Sequence, residues 1–362
     1  MASTVKKKFT KTFIHNRLSS DKLPFFGSLE VTRKCNSHCS FCPIGNEKPE
    51  LKAGKEITTD EATLILDQYS EFNLIVVSFL GGEPTLRKDF TELGHYAREV
   101  GLISQAVTNG LTLADNVEDY TEAIDNLVVS LDTLDSQKYR EIRGVDKFDD
   151  VIEGIEQAVK LQKKNKCVVL INTVICSANI SEVPEIVKFA KEVGASGILV
   201  DFMTFHEGWE EITDEDSRYK PEQMDWRKNP KDVEKLVNKL IDLKKDYPIL
   251  TSKSYLKTFI TQNFHYRCYP YLFCCVNRFG HIALPCFDSS HTKFYSLLEG
   301  QHLKDIWFLP EVNEAREKVK DCKRCYMHCI VEPSKLVGEP FKHLGDLTEW
   351  VGNINRYRKT IF

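Results

Sequence analysis

The chain has 362 residues, of which 42% are hydrophobic and 28% charged, a balance that excludes a disordered polymer and allows more than one packed domain. A formal net charge of −4 supplies no global field for nucleic acid. The longest apolar run, from about Cys167 to Cys176, is far too short to span a bilayer.

In chain order, VKKKFTKTFIHNRL comes first. It spaces Val5, Phe9 and Phe13 four apart among Lys6, Lys7, Lys8, Lys11 and Arg17. The pattern predicts a terminal helix docked on its own protein; a basic helix lying on a membrane surface is the alternative. The N-terminus has no apolar segment followed by a small-residue cleavage site, so a reducing cytoplasm is expected. From Gly27 to Phe202, strand and helix patterns alternate. The β-branched runs are GSLEVT (27–32), LIVVSF (74–79), ISQAVT (103–108), NLVVS (126–130), CVVLINTVI (167–175) and GILVDF (197–202). Helical spacing marks 58–69, 88–100, 148–164 and 181–193, the last with Ser181 as cap and an early proline. Strands alternating with helices predict a parallel α/β sheet, and six units rather than eight predict a partial TIM-like (β/α)6 barrel.

The acid-rich stretch 206–230 reads as a solvated connection, followed by a helix at 231–246. From 263 the composition turns to aromatics and cysteines, with a hairpin signal in CVNRFGHIALP. The tail, 344–358, has apolar Leu344, Leu347, Val351 and Ile354 at helical spacing. The expected division is a basic N-terminal segment 1–26, a partial barrel 27–203, a polar connection and helix 204–262, a small Cys-rich C-terminal domain 263–330, and a helical tail 331–362.

Twelve cysteines are many for a chain without an export signal, and clustered thiols then read as metal ligands. Cys167 and Cys176 stand alone in apolar surroundings and read as small core residues. Cys35, Cys39 and Cys42 fall in CNSHCSFC, directly after the first strand. In a parallel barrel the loops after the strands form the working face. Three thiolates leave one iron of a cubane open, as a catalytic zinc keeps an open position. Seven more cysteines lie between Cys268 and Cys329, including the pair Cys322 and Cys325 in C-x2-C spacing. Four thiols from a hairpin and such a pair make a closed site, read either as an iron–sulfur site or as a zinc brace.

The C-x3-C-x2-C spacing, with Phe41 before its third cysteine, resembles the signature of radical S-adenosylmethionine (SAM) enzymes. Further motifs follow in order at strand ends: Gly81-Gly82-Glu83-Pro84, Thr108-Asn109-Gly110, Ser130-Leu131-Asp132 and Arg143-Gly144. The resemblance covers about residues 27 to 203. It implies a [4Fe–4S] cluster on Cys35, Cys39 and Cys42 that binds SAM and reductively cleaves it to a 5′-deoxyadenosyl radical, which takes a hydrogen atom from a substrate. It further implies that Gly81, Gly82, Glu83 and Pro84 hold the methionine amino group, with Asn109 in a companion turn. Ser130 and Asp132 then contact the ribose, Phe41 lies near the adenine, and Asn172 reaches the same ligand from the fifth strand. An external donor such as ferredoxin or flavodoxin supplies the electron.

The C-terminal cysteines resemble the SPASM/twitch auxiliary domain of one branch of that family, also in LKDIW (303–307) and the charged run after it. This implies a second, auxiliary [4Fe–4S] cluster, with Cys268, Cys286, Cys322 and Cys325 as the chosen ligands. Cys329, Cys274 and Cys275 stand as alternatives. The branch favours a peptide or protein side chain as substrate over a small molecule, sugar or lipid. Only 34 residues precede Cys35, so a leader-binding module is expected on a separate protein. A non-catalytic electron carrier or a zinc-stabilised module is the reading from a different functional class.

Overall fold

A computed structural model describes residues 2–19, 21–205, 209–214, 216–262, 266–322, 325, 327–338, 345, 346, 348 and 352. Leu344, Leu347, Val351 and Ile354 of the expected tail helix lie outside the described residues.

Six strands run parallel in sequence order: β1 Phe26–Thr32, β2 Val76–Gly81, β3 Ile103–Thr108, β4 Asn126–Ser130, β5 Val168–Ile175 and β6 Gly197–Phe202. Each β-branched run folds as a strand because it is apolar on both faces, as a sheet covered on both sides requires. One face packs on the surrounding helices through Leu29, Val31, Val77, Phe79, Leu127, Val129, Val169, Ile171, Ile198 and Val200. The other face lines the barrel interior, where Val128, Val168 and Leu170 gather with Val107, Leu199 and Leu250. The helices sit where their spacing predicts. Helix Thr59–Glu71 starts at a capping box of Thr58 and Glu61. Helices Phe90–Glu99, Phe148–Asn165 and Val183–Val193 follow β2, β4 and β5. The last has its proline in the first turn, but Glu182 and not Ser181 occupies the cap position.

The barrel sheet does not end at β1. Strand β7 Phe273–Val276 pairs parallel with β1, Phe26 opposite Phe273 and Leu29 opposite Val276. Strands β8 His281–Leu284 and β9 Lys293–Ser296 then add antiparallel, giving one nine-stranded sheet in the order β6-β5-β4-β3-β2-β1-β7-β8-β9. The expected hairpin is therefore present, but it extends the barrel's own edge. Closing that edge hides backbone groups that β1 would otherwise expose.

The N-terminal helix Ala2–Leu18 docks on this body. Phe9 packs on Phe13 and Phe25, Asn16 donates to Leu23 O at 2.8 Å, and Lys8 donates to Gly101 O at 3.0 Å. Among the described residues, no helix is long and apolar enough to cross a membrane.

The segment after β6 departs from the expected solvated connection. Trp226 is fully buried between Phe202 and Phe259 and donates its indole N–H to Met203 O at 2.9 Å. Burying an indole contributes on the order of 3 kcal/mol. The acid-rich composition hid this anchor, because one tryptophan outweighs several solvated carboxylates.

Candidate active site: two groups of thiols

The cysteine loop leaves β1 at its C-terminal end and is held in place by its backbone. Cys42 N–H donates to Cys39 O at 3.2 Å, and Asn46 Nδ2 reaches both Cys39 O at 2.9 Å and Cys42 O at 2.8 Å. His38 N–H and Ser40 N–H donate to Arg143 O and Ile142 O. Residues 212–214 and 216–220 are bonded to the loop: Lys48 N–H donates to Ile212 O, Asp214 N–H to Asn46 O, and Lys220 N–H to Ser40 O. Cys39 is buried and Cys35 and Cys42 are half-buried. Burial pushes the Cys35 thiol up to about 12 and the Cys42 thiol up to about 11. A cationic centre bound there must displace those protons.

The GGEP turn is packed against this loop. Gly82 N–H donates to Thr32 O at 2.9 Å and Glu83 N–H to Lys34 O at 2.7 Å. A Cβ on Gly81, whose φ is +147°, would lie 2.0 Å from Thr32 O, and one on Gly82 would lie 2.2 Å from Lys34 O. The close approach that these glycines permit is therefore to the chain's own backbone. Pro84 is buried at the start of the short turn that follows. Glu83 is 1% exposed. Its Oε1 accepts from Thr85 N–H, Thr85 Oγ1 at 2.7 Å and Thr108 Oγ1 at 2.8 Å, and its Oε2 from Asn109 N–H at 2.7 Å. Burial raises its carboxyl against the pull of these donors. Glu83 thus fastens the second loop to the third. Asn109 carries the link on, donating Nδ2 to Asn36 Oδ1 at 2.8 Å. The three motifs form one hydrogen-bonded rim.

Ser130 ends β4 opposite Asn172 of β5. Asn172 Oδ1 is buried without a hydrogen-bond partner among the described residues, the mark of an acceptor waiting for a donor. Asp132 differs from the expected ribose contact. It is fully buried, with Oδ1 accepting Val174 N–H at 2.8 Å and Oδ2 lying 2.6 Å from Arg143 Nη2. Phe41 lies with its ring 5.8 Å from the Arg143 guanidinium.

The C-terminal thiols form a second group. Cys268, Cys286, Cys322 and Cys325 are electrostatic neighbours of one another, and all four act on Tyr266. Cys268 N–H donates to Lys320 O at 2.9 Å, and Tyr266 donates its hydroxyl to Cys325 O at 2.7 Å. Burial pushes Cys286 up to about 11 and Cys325 up to about 12. Cys274 stands apart, fully buried beside Tyr69 and Arg316. Cys275 faces Ser28 and neighbours Cys286, and Cys329 neighbours Cys325 first, then Asp201 and Cys275, so both border the group of four. Among the described residues, no three His, Cys, Asp or Glu side chains are gathered as a site for a single metal ion. Cys167 and Cys176 are fully buried, as their apolar setting predicts.

One pair has no counterpart in the sequence reading. His328, on helix His328–Gly338, bonds through Nδ1 to Asp201 Oδ1 at 2.5 Å. Asp201 shares the interior face of β6 with Leu199. Burial pulls the imidazole down, but Asp201 and Glu332 outweigh it and raise His328 to about 9. Only the fold joins residues 127 positions apart; no local spacing signals the pair.

Comparisons with known proteins give a family match and a likeness of fold. A family model described as "Radical SAM superfamily" matches residues 29–190, and one described as "Domain of unknown function (DUF3463)" matches residues 217–349. The chain is 34% identical to a GTP 3′,8-cyclase of Haemophilus influenzae over 140 residues, 38% of this chain and 42% of that protein. It is also 34% identical to a probable GTP 3′,8-cyclase of Pyrococcus abyssi over 174 residues, 48% of this chain and 55% of the relative. The chain thus spans about half the length of the curated relatives it matches. Among solved structures, Streptococcus suis SuiB bound to S-adenosylmethionine superposes with a TM-score of 0.63 at 23% identity, over 86% of this chain and 71% of that one. The protein anSMEcpe with bound AdoMet and a peptide superposes with a TM-score of 0.60 at 17% identity, over 93% of this chain and 99% of that one. At these identities the likeness is one of fold.

Proposed function

We propose, from the premise that this chain belongs to the radical SAM superfamily, that it is an enzyme abstracting hydrogen from a peptide or protein side chain with two iron–sulfur centres. The single observation that carries the core of this reading is the rim itself: three thiols on one loop, braced by Asn46, by Glu83 and by the link from Asn109 to Asn36.

The residues fit a [4Fe–4S] cluster with one iron left for SAM. Cys39 is buried and Cys35 and Cys42 half-buried on the strand-end face, and Asn172 Oδ1, partnerless among the described residues, offers an acceptor to an incoming donor. Bound there, such a cluster would supply the one-electron reduction that cleaves SAM's carbon–sulfur bond and starts hydrogen abstraction. Cys35, Cys39 and Cys42 would hold it. Gly81, Gly82, Glu83, Pro84 and Asn109 would stand around the methionine end. Ser130, Asn172 and Phe41 would stand around the adenosyl end. Residues 212–214 and 216–220 hold the thiol loop through backbone hydrogen bonds. Cys268, Cys286, Cys322 and Cys325 would hold the auxiliary [4Fe–4S] cluster, and an external donor such as ferredoxin or flavodoxin would provide electrons.

The peptide reading is supported by shared architecture over nearly the whole chain with two proteins solved with peptides, SuiB with precursor peptide SuiA and anSMEcpe with its peptide. The 34% identity to GTP 3′,8-cyclases favours a second reading, a small-molecule substrate. That identity is confined to about half of this chain or less.

Anaerobic reconstitution with iron and sulfide, followed by SAM and dithionite, is expected to release 5′-deoxyadenosine. None should form with Cys39→Ala. A fully loaded wild type that forms none is an electron carrier, and the enzymatic reading fails. Turnover of GTP, with no turnover of peptides encoded beside the gene, would replace the peptide reading by the small-molecule one.

A further inference from the structure

A buried ion pair stands behind the middle cysteine of the trio. Arg143 is 6% exposed and Asp132 fully buried, with Nη2 and Oδ2 2.6 Å apart. The other arm of the guanidinium, Nη1, donates to Cys39 Sγ at 3.8 Å. Ser37 Oγ also lies 3.4 Å from that sulfur, but its hydrogen is directed to Arg143 O at 2.8 Å. Arg143 is thus the charged donor on Cys39, and Phe41 covers it from one side.

Taking both ions out of water is costly, and their mutual attraction only partly offsets it. A brace could be built more cheaply from apolar residues. The ion pair has a direction instead: its positive end touches a sulfur and its negative end lies behind, bonded to Val174 N–H. A guanidinium is not deprotonated in proteins, so the sulfur faces a permanent positive charge. Hydrogen bonds and charges near the sulfurs set the potential of an iron–sulfur centre.

We propose that Arg143 and Asp132 are a positioning pair that sets the reduction potential of the centre held through Cys39. Arg143 raises the potential by stabilising added negative charge, and Asp132 limits the rise. The inference rests on the reading that Cys35, Cys39 and Cys42 hold a [4Fe–4S] cluster. The two residues act with opposite sign, which a packing role would not do.

The test uses the full chain, reconstituted anaerobically, as wild type, Arg143→Gln, Arg143→Lys and Asp132→Asn. Iron and sulfide content are measured first. The midpoint of the centre whose electron paramagnetic resonance signal SAM perturbs is then found by redox titration. Arg143→Gln is expected to keep its iron and shift to lower potential by a tenfold change in the reduced-to-oxidised ratio, about 59 mV for one electron. Arg143→Lys should shift less, in the same direction. Asp132→Asn should shift upward, because it leaves the guanidinium uncompensated. Shifts of the same sign in Arg143→Gln and Asp132→Asn, or no shift with iron intact, overturn the proposal. Loss of the SAM-sensitive centre from all three variants also overturns it, since the pair would then be a brace. A wild type with no SAM-sensitive centre instead removes the functional reading beneath it.

Discussion

Glu83 Oε2 accepts the backbone N–H of Asn109 at 2.7 Å, so a carboxylate of the second strand's turn fixes the turn of the third. Thr85 and Thr108 bond to the other oxygen. Replacing Glu83 by alanine strands four donors in a buried place. The expected loss is about 3 kcal/mol or more of unfolding free energy, together with loss of SAM binding. Denaturant unfolding and calorimetric titration with SAM check this; retained SAM affinity would show that the rim does not depend on the carboxylate.

Asn46 reaches two carbonyls of the cysteine loop and also accepts Arg218 N–H at 3.2 Å. Asn46→Ala should weaken both the loop and the segment bonded to it by roughly 2 kcal/mol, or about 30-fold in the frequency of opening. Iron should then leave the reconstituted protein faster in the presence of a chelator. An unchanged release rate would place the rate-limiting opening elsewhere.

The C-terminal thiols make a comparison within one strand and its neighbours. Cys286 lies among Cys268, Cys322 and Cys325, whereas Cys274 packs on Tyr69. Cys286→Ala should remove about one cluster's worth of iron and leave some SAM cleavage. Cys274→Ala should keep its iron and cost about 1 kcal/mol of packing. Metal analysis decides: zinc lost from Cys286→Ala with iron unchanged would identify a brace.

His328 carries a pH dependence whose sign follows from its partner. Its value is raised in the fold to about 9, above the ordinary histidine value of about 6.5. The stabilisation is therefore complete below about pH 6.5 and is lost as pH rises toward 9. Up to about 3 kcal/mol is at stake. Wild type should lose stability across this window, and Asp201→Asn should show a flatter profile. Parallel profiles for the two proteins would mean that the pair does not carry the slope.

Much of this molecule was readable along the chain. The strand runs at 103–108, 126–130 and 197–202 appear at those residues, because a strand buried on both faces needs an apolar run and says so locally. The placing of Cys35, Cys39 and Cys42 after β1 was readable for the same reason. The role of Asp132 was not. Its motif looks alike whether the carboxylate meets a ligand or turns to Arg143, eleven residues on and one helix away. The bonds from residues 212–214 and 216–220 to the thiol loop were hidden too, since they use backbone groups that every residue possesses.

By itself the sequence determined the order of strands and helices, the thiols and the turns they follow, since periodicity and glycine placement act over a few residues. Only the tertiary structure decided that β7 joins the barrel's own sheet, that Glu83 and Asp132 spend their oxygens on the chain, and that His328 meets Asp201. Those outcomes depend on which donors arrive within hydrogen-bond reach after burial, and distance in space is not written in distance along the chain.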